Sequence, residues 1–420
     1  MSEYRRRIID DELDEFQPQL RAIALQGPKA VGKTATASRR ARTILDLDLE
    51  SQRRVLEADP ALIRNLPGPV LIDEWQRLPS SWDMVRRAVD AGTPKGHLML
   101  AGSSAPKDAV IHSGAGRIVP FRMRALSLAE REIETPTVSL KRLLAGDTTV
   151  EGATSIGLTD YVQEILASGL PAIRLEPARV RQRELDAYID NIVRREFPQQ
   201  GYAVRKPETL RAWLTAYAAA TSTTTSYSDI LDAATPNESH KPAKETVGSY
   251  REALSSLWLL DPIPAWTPTR NPMTQLGKAS KHHLADPALA ARLLGLDERT
   301  LLTADVLTTR GTPMLGALFE HLVSLSVQVY AQAAEARVFH FRTKNGDHEV
   351  DLIIQRPDGA VIALETKLSA AATDSHARHL SWLKQKLGND LVASAIITTG
   401  QYAYTRPDGI AVIPASLLGP

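Results

Sequence analysis

Residues Gly27–Thr34 read GPKAVGKT, which matches GxxxxGK[ST] at every fixed position. The apolar run AIALQ precedes this segment, and a helical pattern from Lys33 to Arg42 follows it. A strand, a glycine-rich turn and a helix in that order confine the chain to an α/β sheet of parallel strands. Further short apolar runs occur at Thr43–Leu47, Val70–Asp73, His97–Gly102 and Ile118–Arg122, with an amphipathic stretch at Ser81–Ala91. The spacing predicts a parallel sheet covered by helices on both faces. It ends near the proline-bearing EIETPTV at Glu132–Val138.

Each position of the loop has a chemical reason. Glycines let the backbone wrap a phosphate, so that successive N–H groups and a helix N-terminus point at its oxygens. Gly27, Pro28, Lys29, Ala30, Val31, Gly32, Lys33, Thr34 and Ala35 are the expected nucleotide contacts. Lys33 would set a cation on the β- and γ-phosphates, and the Thr34 hydroxyl would hold Mg²⁺. Val70–Ile72 is a short buried-strand run ending in Asp73-Glu74, at the strand edge where such sheets bind ligands. Asp73 is expected to hold Mg²⁺ and Glu74 to polarise the attacking water. The next strand ends in Gly-Ser-Ser, which makes Ser103 or Ser104 a γ-phosphate sensor or an ordinary turn residue. Arg117 precedes the fifth strand and is a candidate transition-state arginine.

The rest of the composition narrows the classes. A chain of 420 residues calls for two or three cores. No cysteine is present, which removes disulfides, thiolate metal sites and a cysteine nucleophile. A net charge of +1 names no charged partner. The N-terminal segment has no apolar h-region and no run of about 18 apolar residues occurs, so the expected location is the cytoplasm, with no membrane partner.

Beyond the sheet, residues 136–206 read as a mostly helical linker. In ARVRQRELDAYIDNIVRREF, Val180, Leu185, Tyr188, Ile189 and Ile192 recur at helical spacing, so its charges form a solvated face. Residues 207–266 read helix, short helix, helix, apolar strand, the order of a winged helix-turn-helix. Residues 267–420 read strand, long helix (Met314 to Ala334), several strands, helix (Ser375 to Leu387), strand.

GPKAVGKT, LDLDLE, VLIDEWQRLP, LAGSS and the GRI…RALSLAERE run resemble those of bacterial and archaeal AAA-type ATPases of a poorly characterised family. In that family the ATPase module precedes a C-terminal domain of unknown function (DUF4143 type) related to PD-(D/E)xK nucleases. The likeness continues through SGLPAI, LGALFEHLV and HEVDLI…ALETKLS, over essentially the whole chain. The resemblance implies ATP and Mg²⁺ as cofactors, with Lys33, Thr34, Asp73 and Glu74 on the matching positions. Ala30-Val31 departs from the family's usual Gln-Val after an arginine, inside the variable part of the loop.

The segment HEVDLIIQRPDGAVIALETKLS can be read from geometry alone. Apolar strands flank the turn RPDG, and reflection about Asp358 sets Asp351 opposite Glu365 and Glu349 opposite Lys367. Alternation puts these four on one face and Leu352, Ile354, Ile362 and Leu364 on the other. Asp351 and Glu365 are therefore a candidate Mg²⁺ pair, with Lys367 placed to orient a water. Glu320 on the preceding helix matches an additional acidic position of the nuclease constellation. The competing interpretation is a sheet face on which Lys367 only neutralises its neighbours. His282, His283, His340 and His348 lack metal-ligand spacing and read as ordinary polar residues.

The leading expectation is an ATP hydrolase that couples nucleotide state to DNA or RNA binding, with cleavage by the C-terminal domain left open. The winged helix would contact phosphates through His240, Lys241, Lys244 and Arg251. The alternative is an ATP-driven regulatory switch or protein-binding ATPase with a silent distal domain. A protein partner and a homo-oligomer fit either.

Overall fold

A computed structural model describes residues 4–103, 114–202, 207–235, 244–268, 278–303 and 313–420. Five strands build the first sheet: β1 (Ala22–Gln26), β2 (Thr43–Asp46), β3 (Val70–Asp73), β4 (Leu98–Gly102) and β5 (Ile118–Arg122). Their order is β2-β3-β4-β1-β5, and every neighbouring pair is parallel. The expected α/β sheet is present, with three of the five strands on their predicted bounds. Side-chain alternation divides it into two buried faces. Ile23, Leu25, Met99 and Phe121 join the main core. Ala22, Ala24, Ile72 and Leu100 pack against Leu56, Trp82 and Val85 of the helices Glu50–Ala58 and Ser80–Asp90.

Two short strands leave this module: β6 (Val138–Ser139) and β7 (Gly152–Ala153). Helices follow at Leu158–Ala167 and Ala178–Asn191. In the latter, Leu185 and Ile189 are buried while Val180 stays exposed, so the apolar stripe starts one turn later than its spacing suggests. Helices Pro207–Ala219, Tyr227–Ala234 and Lys244–Ser256 occur in the expected order. The strand predicted after them pairs at Leu260 with Leu284, at Ile263 with Lys281 and at Ala265 with His340. It is therefore tied to distant parts of the chain and forms no local hairpin wing among the described residues.

The second sheet is mixed. It uses β8 (Arg337–Arg342), β9 (Glu349–Gln355), β10 (Val361–Thr366), β11 (Leu391–Thr398), β12 (Tyr402–Thr405) and β13 (Ala411–Pro414), in the order β7-β12-β13-β11-β10-β9-β8. A last strand, β14 (Leu418–Gly419), runs parallel to β6. The sequence predicted one strand after the helix Asp374–Leu387, and four are present. A second RPDG turn, Arg406–Gly409, separates β12 from β13, and strands of four residues carry too little periodicity to stand out. The predicted β9–β10 register is the observed one: Leu352 faces Leu364 and Ile354 faces Ile362, all four in the main core. The helix Met314–Ala333 is the only described one long and apolar enough to cross a membrane, and most of it is buried inside the fold.

Candidate functional site

The loop Gly27–Thr34 is tight and braced. A Cβ on Gly27 would lie 2.1 Å from the Met123 carbonyl oxygen, so no other residue fits there. Gly32 is left-handed at φ 98°, the conformation glycine adopts without strain. Ala30 also takes a left-handed φ of 63°, a conformation that costs a non-glycine residue about 1 kcal/mol. The buried Arg7 pairs with Glu130 at 2.9 Å and donates to the Val31 carbonyl oxygen, also at 2.9 Å. Lys29 pairs with Glu196 at 2.7 Å, and the Tyr188 hydroxyl donates to the Lys29 carbonyl oxygen at 3.3 Å. Lys29 thereby ties the loop to the helical region that follows the sheet.

Lys33 opens the helix Lys33–Ser38, and its ammonium donates to the carbonyl oxygens of Gly27 and Pro28 at 3.0 and 2.8 Å. Burial lowers its pKa to about 8, against the opposing pull of Glu74 and Asp73. These carbonyl contacts are ones that phosphate oxygens would replace. Thr34 donates to Asp73 at 3.1 Å. Burial pushes the Asp73 carboxyl up, and the Thr34 hydrogen bond pulls it back. A hydroxyl and a carboxylate in contact beside a cationic loop form an all-oxygen donor set, which suits Mg²⁺. Glu74, at φ 51°, is left-handed, and its carboxylate accepts from the Gln76 side-chain amide.

Ser103 follows β4 at the same edge, buried, with its hydroxyl lacking a hydrogen-bond partner among the described residues. Ser104 lies outside the described residues. The structure places Arg117, the candidate transition-state arginine, at the other end of β5 from the loop. β5 runs parallel to β1 with Ile118 beside Ala22 and Arg122 beside Gln26, so Arg117 stands at the end of the sheet away from the loop. Its guanidinium pairs with Asp90 at 2.9 Å. The arginine at the loop's edge is Arg122, which no sequence signal distinguished from other strand residues.

A cleft of about 170 Å³ opens beside the loop, lined by Tyr4, Gly32, Ala35, Met123, Pro171 and Leu175, among others. Its apolar walls and its contact with the first turn of the phosphate helix suit a nucleobase. Tyr4 and Pro171 come from segments far apart in sequence, so spacing alone could not find them.

Arg122 joins the sheet to the segment after the third helix of the middle region. Its guanidinium lies 4.0 Å from the Trp258 ring centre and 3.3 Å from Asp261, while Arg124 pairs with Asp261 at 2.8 Å. The Trp258 indole N–H donates to the Ser103 carbonyl oxygen at 3.2 Å. Trp258 is itself left-handed, at φ 61°. Of the expected phosphate contacts of the middle region, His240 and Lys241 lie outside the described residues. Arg251 rests on the Tyr227 ring at 3.7 Å.

In the C-terminal half, Asp351, Glu365 and Lys367 come together as the hairpin geometry predicts. Lys367 sits 2.7 Å from Glu365, and Asp351 accepts from the Thr366 backbone N–H at 2.9 Å. A further participant is Lys281, whose ammonium lies 2.7 Å from Glu320 and 3.1 Å from Asp351. Lys281 stands in an unremarkable KHH segment, and only its pairing opposite Ile263 brings it here. Among the described residues no three carboxylate or imidazole groups are spaced to hold a metal ion. His282, His283 and His340 are buried, bonded to Thr225, Ser222 and Ala279 respectively, and His348 stacks on Trp382 at 4.0 Å.

Comparison with known proteins divides the chain among three domain models. An AAA domain model matches residues 19–132, and the domain of unknown function DUF4143 matches 315–418. The matches support an AAA-type P-loop ATPase with a DUF4143 C-terminal region. Another domain of unknown function, DUF8612, matches residues 158–300 between them. Two curated relatives are the uncharacterized proteins Mb2031c of Mycobacterium bovis and Rv2008c of Mycobacterium tuberculosis. Each is 24% identical over 406 residues, covering 94% of this chain and 80% of the relative. Solved structures with some likeness include the Walker-type ATPase PABY2304 of Pyrococcus abyssi, with a TM-score of 0.39 and 15% identity over 68% of this chain and 94% of that one. The Aeropyrum pernix ORC2 protein, in ADPNP–ADP complexes, gives 0.26 and 15% over 68% and 89%.

Proposed function

We propose that this chain is a Mg²⁺-dependent ATP hydrolase that works as a switch, passing its nucleotide state to the middle region. The observation that carries this is the Trp258–Asp261 segment, which touches both Ser103 and Arg122 at the phosphate-binding edge of the sheet. Lys33 and the loop N–H groups would hold the β- and γ-phosphates, and Thr34 and Asp73 would hold Mg²⁺, which supplies charge neutralisation when bound. Glu74, released from Gln76, would orient the attacking water. Ser103, whose hydroxyl has no partner among the described residues, would take a γ-phosphate oxygen or that water, and Trp258 would sense the displacement through the Ser103 carbonyl. The boundaries near residues 135, 206 and 266 then separate tasks within one packed body, because a single core cluster runs from Ile9 to Leu418.

Hydrogen exchange tests the switch. In Glu74→Gln, residues 246–261 should exchange differently with ATP·Mg²⁺ than with ADP·Mg²⁺ or without nucleotide. Identical exchange in all three states sinks the idea.

A second reading is ATP-coupled binding of DNA or RNA, with cleavage. The order helix, β8, β9, β10, helix, β11 carries Glu320, Asp351, Glu365 and Lys367 on elements consistent with a PD-(D/E)xK-type domain. Incubation with labelled DNA and RNA, with and without ATP and Mn²⁺, decides it; no retention and no cleavage under any condition removes it.

A further inference from the structure

Lys281 is a buried lysine surrounded by acids. Its side chain is 1% exposed, and its ammonium lies 2.7 Å from Glu320, 3.1 Å from Asp351 and 3.7 Å from Glu349. The backbone on either side is pinned. Lys281 N–H donates to Ile263 at 2.8 Å, Ile263 N–H returns a bond at 2.9 Å, and His282 N–H donates to Thr223 at 2.9 Å. With the backbone fixed, the ammonium cannot reach solvent without giving up its ion pairs with Glu320 and Asp351.

A divalent ion of the Mg²⁺ type needs oxygens at about 2.0–2.1 Å in near-octahedral array. The ammonium already stands within hydrogen-bond distance of the two carboxylates, Glu320 and Asp351, that such an ion would share. Asp351 also accepts the Thr366 N–H, and one Glu365 oxygen accepts Lys367. The second Glu365 oxygen is buried with no hydrogen-bond partner among the described residues. The residues present therefore do not fit the metal that the nuclease resemblance implies.

We infer that Lys281 is the resident cation of this cluster, so that the C-terminal sheet holds its carboxylates without a divalent metal and leaves phosphodiesters uncut. This deepens the switch reading proposed above, in which the distal domain is silent. The charge balance is consistent with it. Burial, reinforced by the Asp351 charge, pushes Glu320 up to about 8, and the same two causes raise Glu365. Lys281, although buried, is held charged by Glu320, Asp351 and Glu349.

Removing the lysine should convert the cluster to a metal site. Calorimetry on the nucleotide-free full chain should show no Mn²⁺ uptake by wild type at millimolar concentration, and uptake at least about tenfold tighter by Lys281→Ala. Lys281→Ala should also melt lower than wild type without Mn²⁺ and recover with it. If that variant fails to fold, Lys281→Met, which keeps the apolar stem and all the carboxylates, is titrated in its place. Mn²⁺ uptake by wild type that Asp351→Asn abolishes overturns the inference while the switch reading stands. Metal-dependent cleavage by wild type overturns both. A folded lysine-free variant that gains no affinity for Mn²⁺ overturns the inference alone.

Discussion

The Thr34 hydroxyl donates to the Asp73 carboxylate across 3.1 Å, joining the first turn of the phosphate-binding helix to the last residue of β3. Both groups are Mg²⁺ ligands in the proposed reaction, so the pair is expected to part when ATP·Mg²⁺ enters. Asp73→Asn should keep the hydrogen bond but lose the ion's charge partner. Its Mg²⁺-dependent turnover should fall roughly 10²-fold or more. Titrating Mg²⁺ at fixed ATP checks this, and an unchanged Mg²⁺ requirement would count against Asp73.

Glu74 should behave differently. Glu74→Gln keeps the side-chain shape and removes the base, so hydrolysis should drop roughly 10²-fold or more while ATP affinity stays within about a factor of two. Gln76→Ala frees the Glu74 carboxylate and should raise basal turnover. Phosphate release at saturating ATP measures both.

Lys33 predicts a pH dependence. Burial holds it at about 8 in the nucleotide-free chain, below its ordinary 10.5. Only the ammonium form pairs with phosphate, so ATP affinity should weaken as pH rises through about 8. The nucleotide-free fold should gain stability from this group between about 8 and 10.5, because there the unfolded chain binds the extra proton. Lys33→Arg should abolish that pH dependence of binding. Calorimetric titration at pH 7, 8 and 9 resolves the trend.

Asp261 anchors the latch on Arg122 and Arg124. Burial alone would push its carboxyl up, but Arg124 and then Arg122 hold it at about 2, below the ordinary 3.8. Its contribution is therefore present above pH 4 and lost as pH falls from about 4 to 2. Asp261→Ala takes the carboxylate from two half-buried guanidinium groups and should cost about 1–3 kcal/mol at neutral pH. Trp258→Ala keeps those ion pairs, so it should cost less and chiefly remove the ATP-dependent exchange difference. Denaturant melts of both variants separate the two roles.

Buried histidines set the acid limit. Burial lowers His321 to about 4 and His340 to about 3, from an ordinary 6.5. Both stay neutral in the fold while the unfolded chain takes up protons below pH 6.5, so these two groups should take stability away as pH drops from 6.5 towards 4, against the opposite contribution of Glu320 and Glu365, whose raised carboxyls favour the fold as pH falls. Each unit of difference is worth about 1.4 kcal/mol per histidine. His340→Gln should make the melting temperature less sensitive to acid than in wild type between pH 7 and pH 5, and an unchanged shift would refute this.

Legibility followed sequence distance. The loop, the acidic pair after β3 and the β9–β10 hairpin were readable because each places its chemistry within one strand–turn unit, where alternation and turn residues set the geometry. Arg122 was passed over for Arg117 because the direction of β5 relative to the loop decides which end of a strand reaches the nucleotide. Tyr4, Trp258 and Lys281 left no trace, since each meets its partners only through tertiary packing. Lys281 changes the meaning of Asp351 and Glu365 from 70 residues away in the first case and 84 in the second. The second RPDG turn was visible, but its flanking strands are too short for periodicity to announce.

The pairing of β6 with β14 has a consequence for biosynthesis. The Ser139 hydroxyl donates to the Pro420 carbonyl oxygen, 281 residues further along the chain. At translation speeds of about 5–20 residues per second, Val138 and Ser139 wait roughly 14–56 s after their own synthesis for a strand partner. During that interval the nascent ATPase module presents an open backbone edge to its surroundings, and a chaperone that covers exposed edges would find its substrate there.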